Sequence, residues 1–462
     1  MNSWFKQLLC SSLLFSTVSY AAQSFTGLIG VNYQPNHYPT NHAFNSHDVF
    51  FVGNNQNGPY TNVYAELAQL KAAGFNTVRS YQTTDYSWIA LINDAHALGM
   101  NVVYEAAIPQ TGNAANINAA TALLTSVINS VGAATFNSTV TLVLAGHENY
   151  CGTCGPNGSS NIAYLTQAVS ALQGVVPGIP VSSALVSGNL VTPPPTMDIT
   201  TLVNRYSPSA PLAFDPYPFQ WGVPVANSVE TVSPSSAINS IGWDYYQVMK
   251  QPFYTPPRTI LMAESGWASA GTTNPGYVCG NNCQPSVANE ASYLSALYNF
   301  VRNPANNSGL LVFEAYDEPA KGNSSDQEDY YGVFDQNCNL KGPNNTSLLP
   351  NRAYNPAATL GCQGFSSGAL LTIVGFAHPY TLIISQRNPV TGADATITAN
   401  SNGMPGPLAD AKWPQYLVLP GAKITIRGNQ SCTSTVAING AQRISFTGSC
   451  NCPNDNLNNC YF

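Results

Sequence analysis

Eight short, continuously apolar runs recur between residues 27 and 314, most of them followed by a stretch with helical spacing, and this repetition constrains the fold more than any other feature. The runs are Gly27–Val31, Thr77–Tyr81, Asn101–Ala106, Thr139–Ala145, Val181–Leu185, Pro211–Phe214, Thr259–Ala263 and Gly309–Phe313. A strand with one face in water alternates apolar and polar residues, whereas a strand covered on both faces has no reason to, so unbroken runs predict a buried parallel sheet. Between runs, Tyr64–Ala73 stops at Gly74 and Ile89–Leu98 stops at Gly99, each a helical stretch with a glycine terminus. Eight strands with interposed helices over roughly 290 residues predict an α/β protein of the (β/α)8 TIM-barrel type. A doubly wound open sheet is the main alternative. Against it, no Gly-x-Gly-x-x-Gly turn follows a run and no phosphate-binding loop sequence is present.

Both ends of the chain depart from this pattern. Residues 1–21 carry Lys6, the apolar run Leu8–Phe15 and then Val18-Ser19-Tyr20-Ala21, which is the charged, apolar and small-residue order of an export signal. The mature chain is therefore expected to be secreted, with its barrel over residues 22–364. No later run of about 18 apolar residues predicts a membrane anchor. Past Cys362 come short strands, Leu370–Val374, Tyr380–Ser385, Ala395–Ala399, Tyr416–Leu419 and Lys423–Arg427, separated by Gly, Pro and Asn. They predict a small all-β domain over residues 365–462, either a carbohydrate-binding module or a packing domain.

Only 8% of the residues are charged and the formal net charge is -7, so no basic patch is offered to nucleic acid. Such a surface suits a neutral, hydroxyl-rich polysaccharide, and no protein partner is implied, so a monomer is expected. Eleven cysteines less Cys10 of the export signal leave ten, an even number that argues for disulfides in an oxidising compartment. Cys151-Gly152-Thr153-Cys154 follows the fourth run, Cys279 and Cys283 follow the seventh, and Cys338 and Cys362 can bridge the end of the barrel. A redox or zinc role for the first four is the alternative, weakened by export and by the absence of a thioredoxin-like pattern. His37, His42 and His47 lack an accompanying Cys or carboxylate array, so neither a metal nor a cofactor is expected.

In a barrel of parallel strands the reactive groups stand at the C-terminal strand ends. The fourth run leads into Gly146-His147-Glu148 and the seventh into Glu264-Ser265-Gly266-Trp267. A carboxylate directly after an apolar run is costly to desolvate unless it is paired or used, so a structural ion pair is the alternative to a working group. Two carboxylates across one barrel mouth suit glycosidic cleavage, in which one protonates the leaving oxygen and the other attacks the anomeric carbon; in a retaining enzyme they stand about 5 to 5.5 Å apart.

Ile260–Ser269, reading Ile-Leu-Met-Ala-Glu-Ser-Gly-Trp-Ala-Ser, resembles the nucleophile signature of glycoside hydrolase family 17, the β-1,3-glucanases and glucanosyltransferases of clan A. Phe313–Lys321 and Tyr331–Asp335 are similar to that family's cell-wall members. Gly30-Val31-Asn32-Tyr33, Val78-Arg79-Ser80-Tyr81 and Tyr217-Pro218-Phe219 match its first, second and sixth strand ends. The resemblance spans residues 27 to 345. It implies a retaining endo-β-1,3-glucanase, or a glucanosyltransferase using the same covalent intermediate, with Glu148 as acid/base and Glu264 as nucleophile. The sequence departs from the family at His147, where an Asn normally grips the sugar 2-hydroxyl, and at Ala268, where Pro is usual. A catalytically silent wall-binding protein is the rival class.

Around the pair, Tyr33, Tyr81, Phe219, Trp221 and Trp267 are candidate stacking platforms for sugar rings or else core aromatics, with Trp267 foremost among the platforms. Arg79, ending a buried strand, needs a partner, either Glu314 or another carboxylate at the mouth. Tyr217 is a candidate donor to Glu264, and His147 can donate to a sugar hydroxyl. By resemblance Glu318 and Lys321, together with Glu314, contact or support the substrate; a solvated ion pair is the alternative for Glu318 and Lys321.

Overall fold

The computed structural model describes residues 24–34, 63–82, 85–109, 112–148, 158–193, 199–221, 233–272, 284–318, 321, 326–342 and 345–355, with C-terminal segments 369–373, 381–387, 394–400, 415–418, 421–427, 431–439, 443–448 and 459–460. The export signal, His37, His42, His47, Cys362 and the Cys151/Cys154 and Cys279/Cys283 pairs lie outside the described residues.

Nine parallel strand segments form one sheet: β1 (Ile29–Asn32), β2 (Thr77–Ser80), β3 (Asn101–Ala106), β4 (Val140–Ala145), β5 (Val181–Ser182), β6 (Ala184–Val186), β7 (Leu212–Asp215), β8 (Ile260–Ser265) and β9 (Ser308–Val312). Their order is β5-β4-β3-β2-β1-β9-β8-β7-β6. The two ends of that order are consecutive in the chain, interrupted only at Ser183. One passage therefore pairs with β4 through β5 and with β7 through β6, closing a (β/α)8 barrel as its fifth strand. Every residue of β1, β2, β7 and β8 is buried, which accounts for the unbroken apolar runs: lumen and helix layer each cover one face.

The outer layer contains α1 (Val63–Ala72), α2 (Asp85–Leu98), α3 (Ala114–Val131), α4 (Ala133–Thr139), α5 (Gly158–Val175), α6 (Ser187–Val191), α7 (Ile199–Arg205), α8 (Pro218–Trp221), α9 (Pro234–Met249) and α10 (Val287–Arg302). Side chains of Asn113, Ser233 and Ser286 cap α3, α9 and α10, satisfying backbone N–H groups that a first turn leaves unpaired. Gly74 and Gly99 end α1 and α2 at φ +102° and +62°, left-handed values that a Cβ disfavours, and so each turns the chain into the next strand. Among the described residues no single helix is long and apolar enough to cross a membrane.

The C-terminal strands are β10 (Ala369–Ile373), β11 (Thr381–Arg387), β12 (Asp394–Asn400), β13 (Gln415–Val418), β14 (Lys423–Arg427), β15 (Ser431–Asn439), β16 (Arg443–Gly448) and β17 (Asn459–Cys460). They make a three-stranded sheet, β13-β10-β17, and a five-stranded antiparallel sheet, β12-β11-β14-β15-β16. Ile384 and Ile424 face each other across β11 and β14 and are buried. The strands named from the sequence do not include β15, β16 and β17, the last of them only two residues long.

Candidate active site

The C-terminal ends of the barrel strands bring together Asn32 of β1, Arg79 of β2, Glu105 of β3, Asp215 of β7 and Glu264 of β8. Glu264 Oε1 lies 3.1 Å from Arg79 Nη1 and accepts from Tyr81 Oη at 2.5 Å, while its Oε2 accepts from Tyr217 Oη at 2.8 Å. Three donors from the ends of two strands, β2 and β7, thus hold one carboxylate in one orientation. Tyr81 is itself shared, because its hydroxyl also reaches Asn32 Oδ1 at 2.7 Å. The Asn32 amide is fixed by the carbonyls of Ala263, Leu311 and Val312, so its oxygen is the face left for Tyr81. Burial first, then the negative charge of Glu264, raises Tyr81 well above its ordinary range against the pull of Arg79, so the phenol keeps its proton.

Arg79 is fully buried and would be costly there without partners. Its Nε and Nη2 donate to Glu105 Oε2 at 2.9 and 2.5 Å, and its Nη1 donates to the Ala263 carbonyl at 2.9 Å and stands 3.8 Å from Asp215 Oδ1. Of the two pairings the sequence left open, the mouth carboxylates are the ones realised. Glu314 is not its partner: Glu314 Oε2 lies 3.8 Å from Lys321 Nζ, which also sits 4.0 Å from the Phe313 ring centroid.

Glu148 is placed differently. The chain leaves β4 through Gly146, and Glu148 adopts φ +45°, with its N–H bonded to the Ala184 carbonyl at 3.1 Å. A left-handed conformation costs a residue with a Cβ about 1 to 2 kcal/mol, which the surrounding contacts must offset. Burial, and next the negative charge of Glu264, raise the Glu148 carboxyl above its ordinary value, while His147 and Arg79 oppose the shift. His147, half exposed, meets Glu105 Oε1 through Nδ1 at 2.5 Å. Burial works against its charge, but Glu105 outweighs this and pushes the imidazole up to about 9. Glu105 is in turn held below the usual carboxylate range by Arg79 and then His147, despite its burial.

Around this centre Glu314 and Glu318 are buried, and Glu314 is raised well above its ordinary range by burial and then by Glu318. Glu328 accepts from Gln220 Nε2 at 3.1 Å, and the same amide reaches Tyr331 Oη at 3.2 Å.

Three of the candidate sugar platforms take the core reading instead. Trp267 is fully buried, packs against Phe219 and Tyr293 with ring centroids 4.9 and 5.6 Å apart, and spends its indole N–H on the Gln284 carbonyl at 3.0 Å. Tyr33 is also fully buried, with its hydroxyl 2.5 Å from Glu66 Oε2 and its ring edge-on to Tyr316. Each polar end finds its partner inside the fold, so neither ring presents a face to the cleft. Phe219 is likewise core, whereas Tyr81 is part-buried at the site. The side chain of Trp221 lies outside the described residues.

The sequence reading passed over Asn32, Glu105, Asp215, Gln220 and Glu328. Glu105 and Asp215 carried the signal that marked the main pair, a carboxylate in or just after an apolar run; Gln220 and Glu328 had none. Cys338 is buried and disulfide-bonded. Among the described residues no group of three or more His, Cys, Asp or Glu is arranged to hold a metal ion.

No family model and no curated protein matches the sequence. Among solved structures, an endo-laminarinase from Formosa Hel1_33_131 is similar with a TM-score of 0.52 at 18% identity, over 69% of this chain and 86% of that one. A GH5_18 protein from Bifidobacterium longum subsp. longum, in complex with Manβ1-4GlcNAc, is similar with a TM-score of 0.50 at 12% identity, over 75% and 82% of the two chains. The chain therefore has the (β/α)8-barrel fold of solved glycoside hydrolases.

Proposed function

We propose that the chain is a secreted, monomeric, retaining β-glycosidase that cleaves β-1,3-glucan internally by double displacement. Its barrel occupies residues 22–364 and its β domain residues 365–462. The observation that carries this is the unequal setting of two glutamates at one barrel mouth. Glu264 is gripped by Arg79, Tyr81 and Tyr217, as a nucleophile that must hold its aim requires. Glu148 has its proton affinity raised, as a resting general acid requires.

In the first half-reaction Glu264 attacks the anomeric carbon as Glu148 gives its proton to the departing sugar oxygen. In the second, Glu148 takes a proton from water as that water displaces Glu264, and two inversions restore the β configuration. The resemblance of Ile260–Ser269 to the family 17 signature supports β-1,3-glucan as substrate, and the laminarinase of the same fold accords with it.

Reducing-sugar release from laminarin by the wild type, lost in Glu264→Gln, is the expected result. Equal release from both, or none from either, rules the reading out. Proton NMR of the earliest products should show the β-anomer, and an initial α-anomer would exclude retention.

A further inference from the structure

Glu105 is used by neither half-reaction, yet both Arg79 and His147 are attached to it. Its Oε2 takes Arg79 Nε and Nη2, and its Oε1 takes His147 Nδ1. From this shared anchor Arg79 continues to Glu264 Oε1 at 3.1 Å. His147 adjoins Glu148 in the chain and lies edge-on to the Tyr81 ring at 5.2 Å. We propose that Glu105 is a positioning residue acting through both arms: it aims Arg79 at the nucleophile and fixes the His147 ring with Nδ1 inward and Nε2–H on the cleft side, beside the acid. The inference rests on the roles proposed for Glu264 and Glu148.

The physical case begins with exposure. The Glu105 side chain is 6% exposed and the His147 side chain 43%, so the Nδ1 edge is the covered edge of the ring and the opposite edge is the open one. A neutral imidazole has one donor and one acceptor, whereas an imidazolium has two donors. The charges facing His147 are Glu105 on β3, Arg79 on β2, Glu264 on β8 and Glu148 beside it, with Asp215 on β7 also within its field. Glu105 makes the direct contact, and its anion favours the doubly protonated ring. The bound sugar must then offer this edge an acceptor, which a hydroxyl does and an ammonium group does not. The substrate class this selects is a hydroxyl-bearing glucan in preference to a polymer of free, protonated amino sugars.

Glutamine at 105 tests the bridge, because its amide oxygen can accept from one of the two cations while its NH2 cannot accept from the other, so one contact must break. In the full-length chain with isotope-labelled histidine, the His147 NMR signal, identified by its loss in His147→Asn, should titrate near 9 in the wild type. In Glu105→Gln it should fall toward the ordinary value of about 6.5. Laminarin kcat in Glu105→Gln should drop on the order of 10²-fold, the loss typical of a preorganised polar contact, with KM moving far less. His147→Asn leaves the Arg79 arm in place and removes a cation beside Glu148, so the alkaline limb of its kcat/KM profile should move upward.

A His147 that titrates near 6.5 in the wild type, or an alkaline limb unmoved in His147→Asn, overturns the proposal. A merely structural Glu105 would lower Tm and shift the His147 titration yet leave laminarin kcat near that of the wild type, an outcome that also overturns the proposal. Should wild type release no sugar from laminarin, the glucanase reading fails while the histidine titration still decides the Glu105 contact.

Discussion

The two sides of the cleft are built by different means. On the Glu264 side, Asn32, Arg79 and Glu264 lie on neighbouring or facing strands, Tyr81 and Tyr217 follow one and two residues past β2 and β7, and the hydrogen bonds among them fix one geometry. On the Glu148 side, a left-handed residue just past β4 sets the carboxylate, and its protonation follows burial and the surrounding charges. A nucleophile must aim at one carbon and is served by rigidity. An acid/base must give up and regain a proton in each cycle and is served by a tunable environment.

The sharpest way to break this contrast is to remove each carboxylate and compare substrates. Glu264→Gln should cost on the order of 10⁶-fold in kcat, as deleting a catalytic nucleophile does, whether the leaving group is a sugar or an activated aryl oxygen. Glu148→Gln should cost about 10² to 10⁴-fold on laminarin, the usual worth of general acid–base help, and much less for the first step with a dinitrophenyl glycoside, whose leaving group needs no proton. Burst kinetics with the aryl substrate read that step directly. Equal losses in both variants on the aryl substrate would sink the assignment of unequal roles.

The pH profile sharpens the same contrast. A general acid acts only while protonated, so kcat/KM falls as pH rises through the Glu148 pKa. Because burial and the Glu264 charge raise that pKa, the fall should lie above the ordinary carboxylate range. Carboxyl-carbon NMR of Glu148 in Glu264→Gln should show the shift reduced, since the anion that raises it is gone. A titration unchanged by that substitution would mean the two carboxylates are not coupled.

A smaller effect is expected at the support of the nucleophile. Tyr217→Phe removes one 2.8 Å hydrogen bond to Glu264 and leaves Tyr81 and Arg79 in place. A hydrogen bond to a charged group contributes about 1.5 to 3 kcal/mol, so a loss of roughly 10 to 10²-fold in kcat follows. Steady-state kinetics on laminarin check it, and an unaltered kcat would mean this donor does no aiming.

Much of this arrangement was legible in the sequence, because a barrel strand declares itself by unbroken apolarity and its functional end by the first carboxylate that follows. Which face a residue takes was also legible and was not used. Successive residues of an extended chain point to opposite faces. Glu264 faces the mouth, and Ser265 turns outward to the Pro216 carbonyl and the Tyr293 hydroxyl of α10. Trp267, two residues further, joins Ser265 against Tyr293. The same parity sends Asn32 inward and Tyr33 outward to Glu66 of α1. Glu105 escaped notice because it lies inside its run, one residue before the end, where an apolar count swallows a single carboxylate. The pairing of Glu105 with His147 was not legible, since it joins two strands through side-chain reach that no local pattern encodes.

The least effect on activity, and the most telling about the site's charge, is expected at Asp215. It ends β7 fully buried, its nearest cation is Arg79 Nη1 at 3.8 Å, and neither carboxylate oxygen has a hydrogen-bond partner among the described residues. Burial, and then the negative charge of Glu264, raise it well above its ordinary value, so it holds a proton where an exposed aspartate would not. The unfolded chain releases that proton near pH 3.9. Below that pH both states are protonated and the group favours neither. As pH rises toward the folded value, the unfolded state gains by ionising while the folded state does not, and stability is lost. An amide has the shape of the neutral acid and no such penalty. Asp215→Asn should therefore change kcat by less than about tenfold, within one step of 1.4 kcal/mol, and raise Tm more at pH 7 than at pH 4. Calorimetry at the two pH values decides it. A wild type more stable than the variant at pH 7 would show that Asp215 is ionised and works as a full partner of Arg79, which would make the Glu264 side of the cleft richer in negative charge than the Glu148 side.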